Sequence, residues 1–88
     1  MKMILVLLRD ADTENVIKAL EKRELFITRI ASSGGFMRRG VSTLMVGVED
    51  QDVDDVIQSI RYICPPAVDP MSKRGRLFVL NVEHFEQY

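Results

Sequence analysis

Six consecutive apolar residues, Met3 to Leu8, stand between Lys2 and Arg9-Asp10. A run of that length bounded by charge predicts a strand over about residues 2–9, apolar on both faces. Ile4, Val6 and Leu8 share one face, and Met3, Leu5 and Leu7 the other. The period then changes. Val16, Ile17 and Leu20 recur at helical spacing among Glu14, Lys18, Glu21 and Lys22, and Asp10 and Asp12 offer capping oxygens just before Thr13. That pattern predicts an amphipathic helix of about three turns. Phe26 to Ser32 predicts a second strand, with Phe26, Thr28 and Ile30 facing one way and Ile27, Arg29 and Ala31 the other. Ser32-Ser33-Gly34-Gly35 and Gly40 interrupt the pattern around Phe36-Met37-Arg38-Arg39. Val41 to Val48 predicts a third strand. Glu49-Asp50-Gln51-Asp52 opens a second helix with negative charge where the helix dipole favours it. Its stripe is Val53, Val56, Ile57, Ile60 and Ile63, and Pro65-Pro66 stops it. A polar loop from about Pro65 to Gly75 leads to a fourth strand, Leu77 to Val82, and the tail His84 to Tyr88.

The order βαββαβ over a single domain, 1–88, predicts an α+β, ferredoxin-like fold: an antiparallel four-stranded sheet with two helices on one face. Such a sheet should alternate apolar and polar residues where its second face meets water. The first strand does not alternate. The fourth, through Leu77-Phe78-Val79-Leu80, is apolar on both sides, and in this fold it commonly lies at the sheet edge, where it is an association hazard. The expectation is that other subunits cover the second face and that edge, because the short tail cannot.

Composition narrows the function classes. Apolar residues make up 47% and charged residues 28%, with 12 basic and 13 acidic residues giving a net charge of -1. That balance excludes general disorder and offers no bulk attraction to nucleic acid or an anionic membrane. The first apolar run falls short of a signal peptide and of the roughly 20 residues of a membrane span. Cys64 is the only cysteine, so no internal disulfide forms, and a cytoplasmic location without membrane insertion is expected.

Ser33 to Gly40 has a chemical case of its own. Its glycines permit close backbone approach to a ligand, Phe36 offers a stacking face, and Arg38 and Arg39 can reach phosphate. An ordinary loop with an apolar plug is the plainer alternative. Lys73-Arg74-Gly75-Arg76 is a second basic cluster, either a phosphate clamp or a solvated loop. Asp50, Asp52, Asp54 and Asp55 lack the glycine and terminal Glu of a calcium loop. His84 is the only histidine and has no metal-site or catalytic partner at a recognised spacing, so neither a metal site nor an enzyme is expected. Acylphosphatases share the fold and size, but Arg9-Asp10-Ala11-Asp12 lacks the glycine of their arginine loop. An RNA-binding module of this order would need aromatic residues on the first and third strands, and both lack them.

Thr28 to Gly40, with Gly47-Val48-Glu49-Asp50 and Val53-Asp54, resembles the PII-like cyclic di-AMP receptor family. Met1 to Asp12, Leu77 to Leu80 and Phe85 to Tyr88 resemble it too. The resemblance runs from residue 1 to about 64 and resumes at about 75. It implies a PII-like homotrimer with nucleotide pockets in the clefts between subunits, no catalysis and no cofactor. The implied ligand is cyclic di-AMP or a related adenine nucleotide, whose binding is passed through loop ordering to an unknown target protein. It implies ligand-binding roles for Thr28, Gly35, Phe36, Met37, Gly47, Phe78 and Gln87, to which the chemistry of the Ser33–Gly40 segment adds Arg38. Phe36 would line the adenine pocket, Gly35, Met37 and Gly47 would bring backbone close, Thr28 would be a polar contact, and Phe78 and Gln87 would supply an aromatic ring and an amide. The family pattern has Asn, Arg and Asn where Glu24, Phe26 and Val41 stand, and a longer loop before the last strand. These departures favour the alternative, a trimeric protein-interaction or regulatory module with an altered or lost nucleotide pocket.

Overall fold

The computed structural model of the chain describes residues 1–33, 41–64 and 75–88, the side chains of 31–33 excepted. The elements are β1 (Lys2–Arg9), α1 (Asp10–Glu21), β2 (Phe26–Ser33), β3 (Val41–Val48), α2 (Val53–Ile63) and β4 (Gly75–Asn81). One antiparallel sheet has the strand order β2-β3-β1-β4, so the chain has the ferredoxin-like fold. β1, apolar on both faces, is central, and β4 is at an edge.

Strand parity decides which side chains meet the helices. Ile4, Val6 and Leu8 of β1 and Leu44, Val46 and Val48 of β3 are buried together with Val16 and Leu20 of α1 and Val56, Ile60 and Cys64 of the α2 segment. Val53, Ile57 and Ile63 pack at the margin of this core, so the apolar stripe of α2 lies where its spacing put it.

The helix starts differ from expectation. α1 begins at Asp10, directly after β1, with Arg9 at the N-cap and no side-chain cap bond. Asp10 and Asp12 are therefore inside the first turn, where their charges still face the positive end of the helix. The Thr13 hydroxyl donates to the Arg9 carbonyl at 2.9 Å. Before α2, Asp50–Asp52 form a 3-10 turn. Asp50 pairs with the Met1 amine at 3.0 Å, and this partner lowers the Asp50 carboxyl below its ordinary value of 3.8.

The face away from the helices is ordered in rows by the strand register. Phe26, Gly47, Met3 and Leu80 form one row; Thr28, Met45, Leu5 and Phe78 the next; Ile30, Thr43, Leu7 and Arg76 a third. Met3, Leu5 and Leu7 are half-buried, while Phe78 at 50%, Leu80 at 41%, Ile30 at 43% and Phe26 at 39% are exposed. The expectation of an apolar second face holds for β1 and β4 through Met3, Leu5, Leu7, Phe78 and Leu80, while Thr28, Thr43 and Arg76 put polar groups on it.

Candidate functional site

Thr28, Gly47 and Phe78 all lie on this open face. Thr28 and Gly47 are close neighbours, since Thr28 pairs with Met45 and Phe26 with Gly47. Phe78 shares the row of Thr28 but lies at the opposite margin, with Met45 and Leu5 between them. Three strand spacings put those two backbones about 14 Å apart. Gln87 lies in the C-terminal segment, two residues beyond Phe85, whose ring meets Phe26 at 5.1 Å between centroids and 77° between planes. The four fall into two groups: Thr28, Gly47 and the tail near β2, and Phe78 on the far edge. Gly35, Phe36, Met37 and Arg38 lie outside the described residues, as do Arg39, Lys73 and Arg74. Arg76 is exposed on the open face, opposite Leu7.

Of the positions that depart from the family pattern, Glu24 and Phe26 lie at the Gly47 end of this margin and Val41 at the other end of β3. A β-carbon on Gly47 would be 2.9 Å from the Met1 methyl and 3.5 Å from the Phe26 β-carbon, so Met1 and Phe26 fill the space above this glycine. Phe26 offers a ring where an arginine would offer a charge and a fork of donors. Glu24, exposed in the turn before β2, has a φ of 56°, the left-handed region. Val41 is exposed at the start of β3, where it pairs with Arg9 and Ser33.

Below this margin, on the helix side, is a polar cluster that the sequence reading missed. The Ser42 hydroxyl is fully buried. It accepts from Arg29 Nη2 at 2.9 Å and Nε at 3.2 Å and donates to Asp10 at 2.5 Å. Arg29 also pairs with Asp10 at 3.5 Å and with Glu14. The cluster ties the β1–α1 junction to β2 and to the first residues of β3. A signal for it existed: Ser42 has the inward parity of Leu44, Val46 and Val48, so its hydroxyl needs a buried partner. The Phe26–Phe85 contact was also missed. Among the described residues, no group of three or more His, Cys, Asp or Glu is arranged to hold a metal ion, and no helix is long and apolar enough to cross a membrane.

A model of the cyclic-di-AMP receptor family matches residues 1–77. Among solved structures, a functionally unknown protein from Pediococcus pentosaceus aligns with a TM-score of 0.79 and 22% identity, covering 99% of this chain and 96% of that one. At that identity the likeness concerns the fold.

Proposed function

The chain belongs to the cyclic-di-AMP receptor family, of the PII-like superfamily, a family of signalling proteins rather than enzymes, and from that premise we propose that it binds an adenine nucleotide between copies of itself. The assembly is a cytoplasmic homotrimer, the ligand is cyclic di-AMP or a relative, and its binding orders the loops around the cleft to alter a surface read by a target protein. The observation that carries the intersubunit location is the register. Thr28 and Phe78 stand at opposite margins of one row with Met45 and Leu5 between them. No single adenine ring touches both in one chain at about 14 Å. They meet when the β4 margin of one copy approaches the β2 margin of the next. The same contact covers the apolar open face and shields the edge strand β4.

The chemistry of this margin suits a base better than a phosphate. Thr28 can donate or accept, Gly47 leaves backbone accessible once Met1 moves, and Phe78 offers a ring. Phosphate charge falls to Arg38, Arg39, Arg76 and the residues before it.

A second reading is favoured by Phe26 itself: with a ring in place of a guanidinium, the trimer serves as a protein-interaction module that takes no nucleotide. A thermal-shift panel of cyclic di-AMP, cyclic di-GMP, cyclic AMP, ATP, ADP and AMP separates the two. One adenine nucleotide at 100 times its Kd stabilises the fold by about 2.7 kcal/mol, and Phe36→Ala removes most of that gain. A flat response across the panel selects the interaction module.

A further inference from the structure

We propose that Phe26 and Phe85 form a clasp that draws the C-terminal segment across the Gly47 end of the open face and so positions Gln87 for the ligand. This deepens the function proposed above and rests on it for the role of Gln87. The chain leaves β4 beside the start of β1, where the Val82 N–H donates to the Met1 carbonyl at 3.2 Å. Three residues later the Phe85 ring is against Phe26, on the strand at the opposite edge. From β1 to β2 is two strand spacings, about 10 Å. The segment bends at Glu83 and the two ring side chains bridge the remaining distance, so its course is set by its two ends: the Val82–Met1 hydrogen bond and the ring contact.

Each part of the crossing has a physical reason. Gly47 carries no side chain, which leaves room beneath the segment for the Met1 methyl and the Phe26 stem. The rings meet edge to face, the arrangement that sets the positive rim of one against the negative face of the other. Both rings stay part-exposed, Phe26 at 39% and Phe85 at 45%, so the contact can open without unfolding the core. Gln87 follows Phe85 by two residues and travels with it. Phe26 is thus a positioning residue: where the family pattern has a donor to phosphate, this chain has a ring that acts on the ligand through the tail.

The full-length chain tests this with two readouts, amide relaxation of residues 84–88 and titration with cyclic di-AMP. Phe26→Ala, remote in sequence from the tail, raises the fast mobility of 84–88 as much as Phe85→Ala does. Either variant raises Kd about tenfold, the double variant goes no further, and Gln87→Ala adds nothing in the Phe85→Ala background. Phe26→Tyr keeps the ring and leaves both readouts as in the wild type. Unchanged tail mobility in Phe26→Ala overturns the clasp. A loosened tail with unchanged Kd, or losses that simply add, overturns the positioning role while the nucleotide site stands. A wild-type chain that takes no cyclic di-AMP or other adenine nucleotide overturns both the site and the positioning role.

Discussion

A methyl group added at Gly75 and one added at Gly47 meet different neighbours. At Gly75 the new β-carbon would be 2.6 Å from the Leu7 backbone oxygen and 2.6 Å from Leu8 Cδ2. Backbone inside a paired strand cannot yield, so Gly75→Ala is expected to cost about 1–3 kcal/mol, read as a lower urea midpoint. At Gly47 the first obstacle is the Met1 methyl, the far end of a flexible side chain. Gly47→Ala should therefore change stability by less than about 1 kcal/mol and still weaken nucleotide binding at least tenfold, because the ligand must approach that backbone. Glu24 is a different case. Its φ of 56° is costly for a residue with an ordinary Cβ-bearing side chain and tolerable for Asn. Glu24→Asn is expected to stabilise the fold by up to about 1 kcal/mol, seen as a higher thermal midpoint; no gain would show the left-handed turn to be unstrained. At this scale the family resemblance named Thr28, Gly47 and Phe78, and the strand register puts all three on one sheet face, with Phe78 at the opposite margin. The sequence could not show that Met1 and Phe85 gather at Phe26, because the segments that bring them there carry no periodicity.

The elements were largely legible, and the exceptions have physical causes. β1 and β3 follow from unbroken or alternating apolar runs, and α2 from a stripe of Val53, Val56, Ile57, Ile60 and Ile63, because burial of a fixed face imposes a fixed period. The start of α1 was misplaced by local capping logic. Asp10 looked like a residue ahead of the helix, but tertiary structure uses it otherwise, as the acceptor for the buried Ser42 hydroxyl and a partner of Arg29. That cluster joins three elements that no short-range pattern connects. Ser42→Ala removes its central hydroxyl and leaves Arg29 and Asp10 without their shared partner, at an expected cost of about 1–3 kcal/mol. Urea denaturation measures it, and a loss below a few tenths would mean that the ion pairs hold the junction without Ser42.

At the scale of the whole molecule, the helix face is closed and the other is not. Phe26, Ile30, Phe78 and Leu80 stay part-exposed around the half-buried Met3, Leu5 and Leu7. A patch of that kind marks an interaction surface, and the halves of the candidate site lie on its opposite margins. One assembly answers both features, with the open faces turned inward and the margins meeting in clefts. Native mass spectrometry of the chain mixed with cyclic di-AMP reads assembly and ligand together. Trimers that fill in steps to one nucleotide per cleft, with no nucleotide on the monomer, are expected. A stable monomer that takes the nucleotide by itself, or a trimer that stays bare throughout the adenine nucleotide panel, would contradict that expectation.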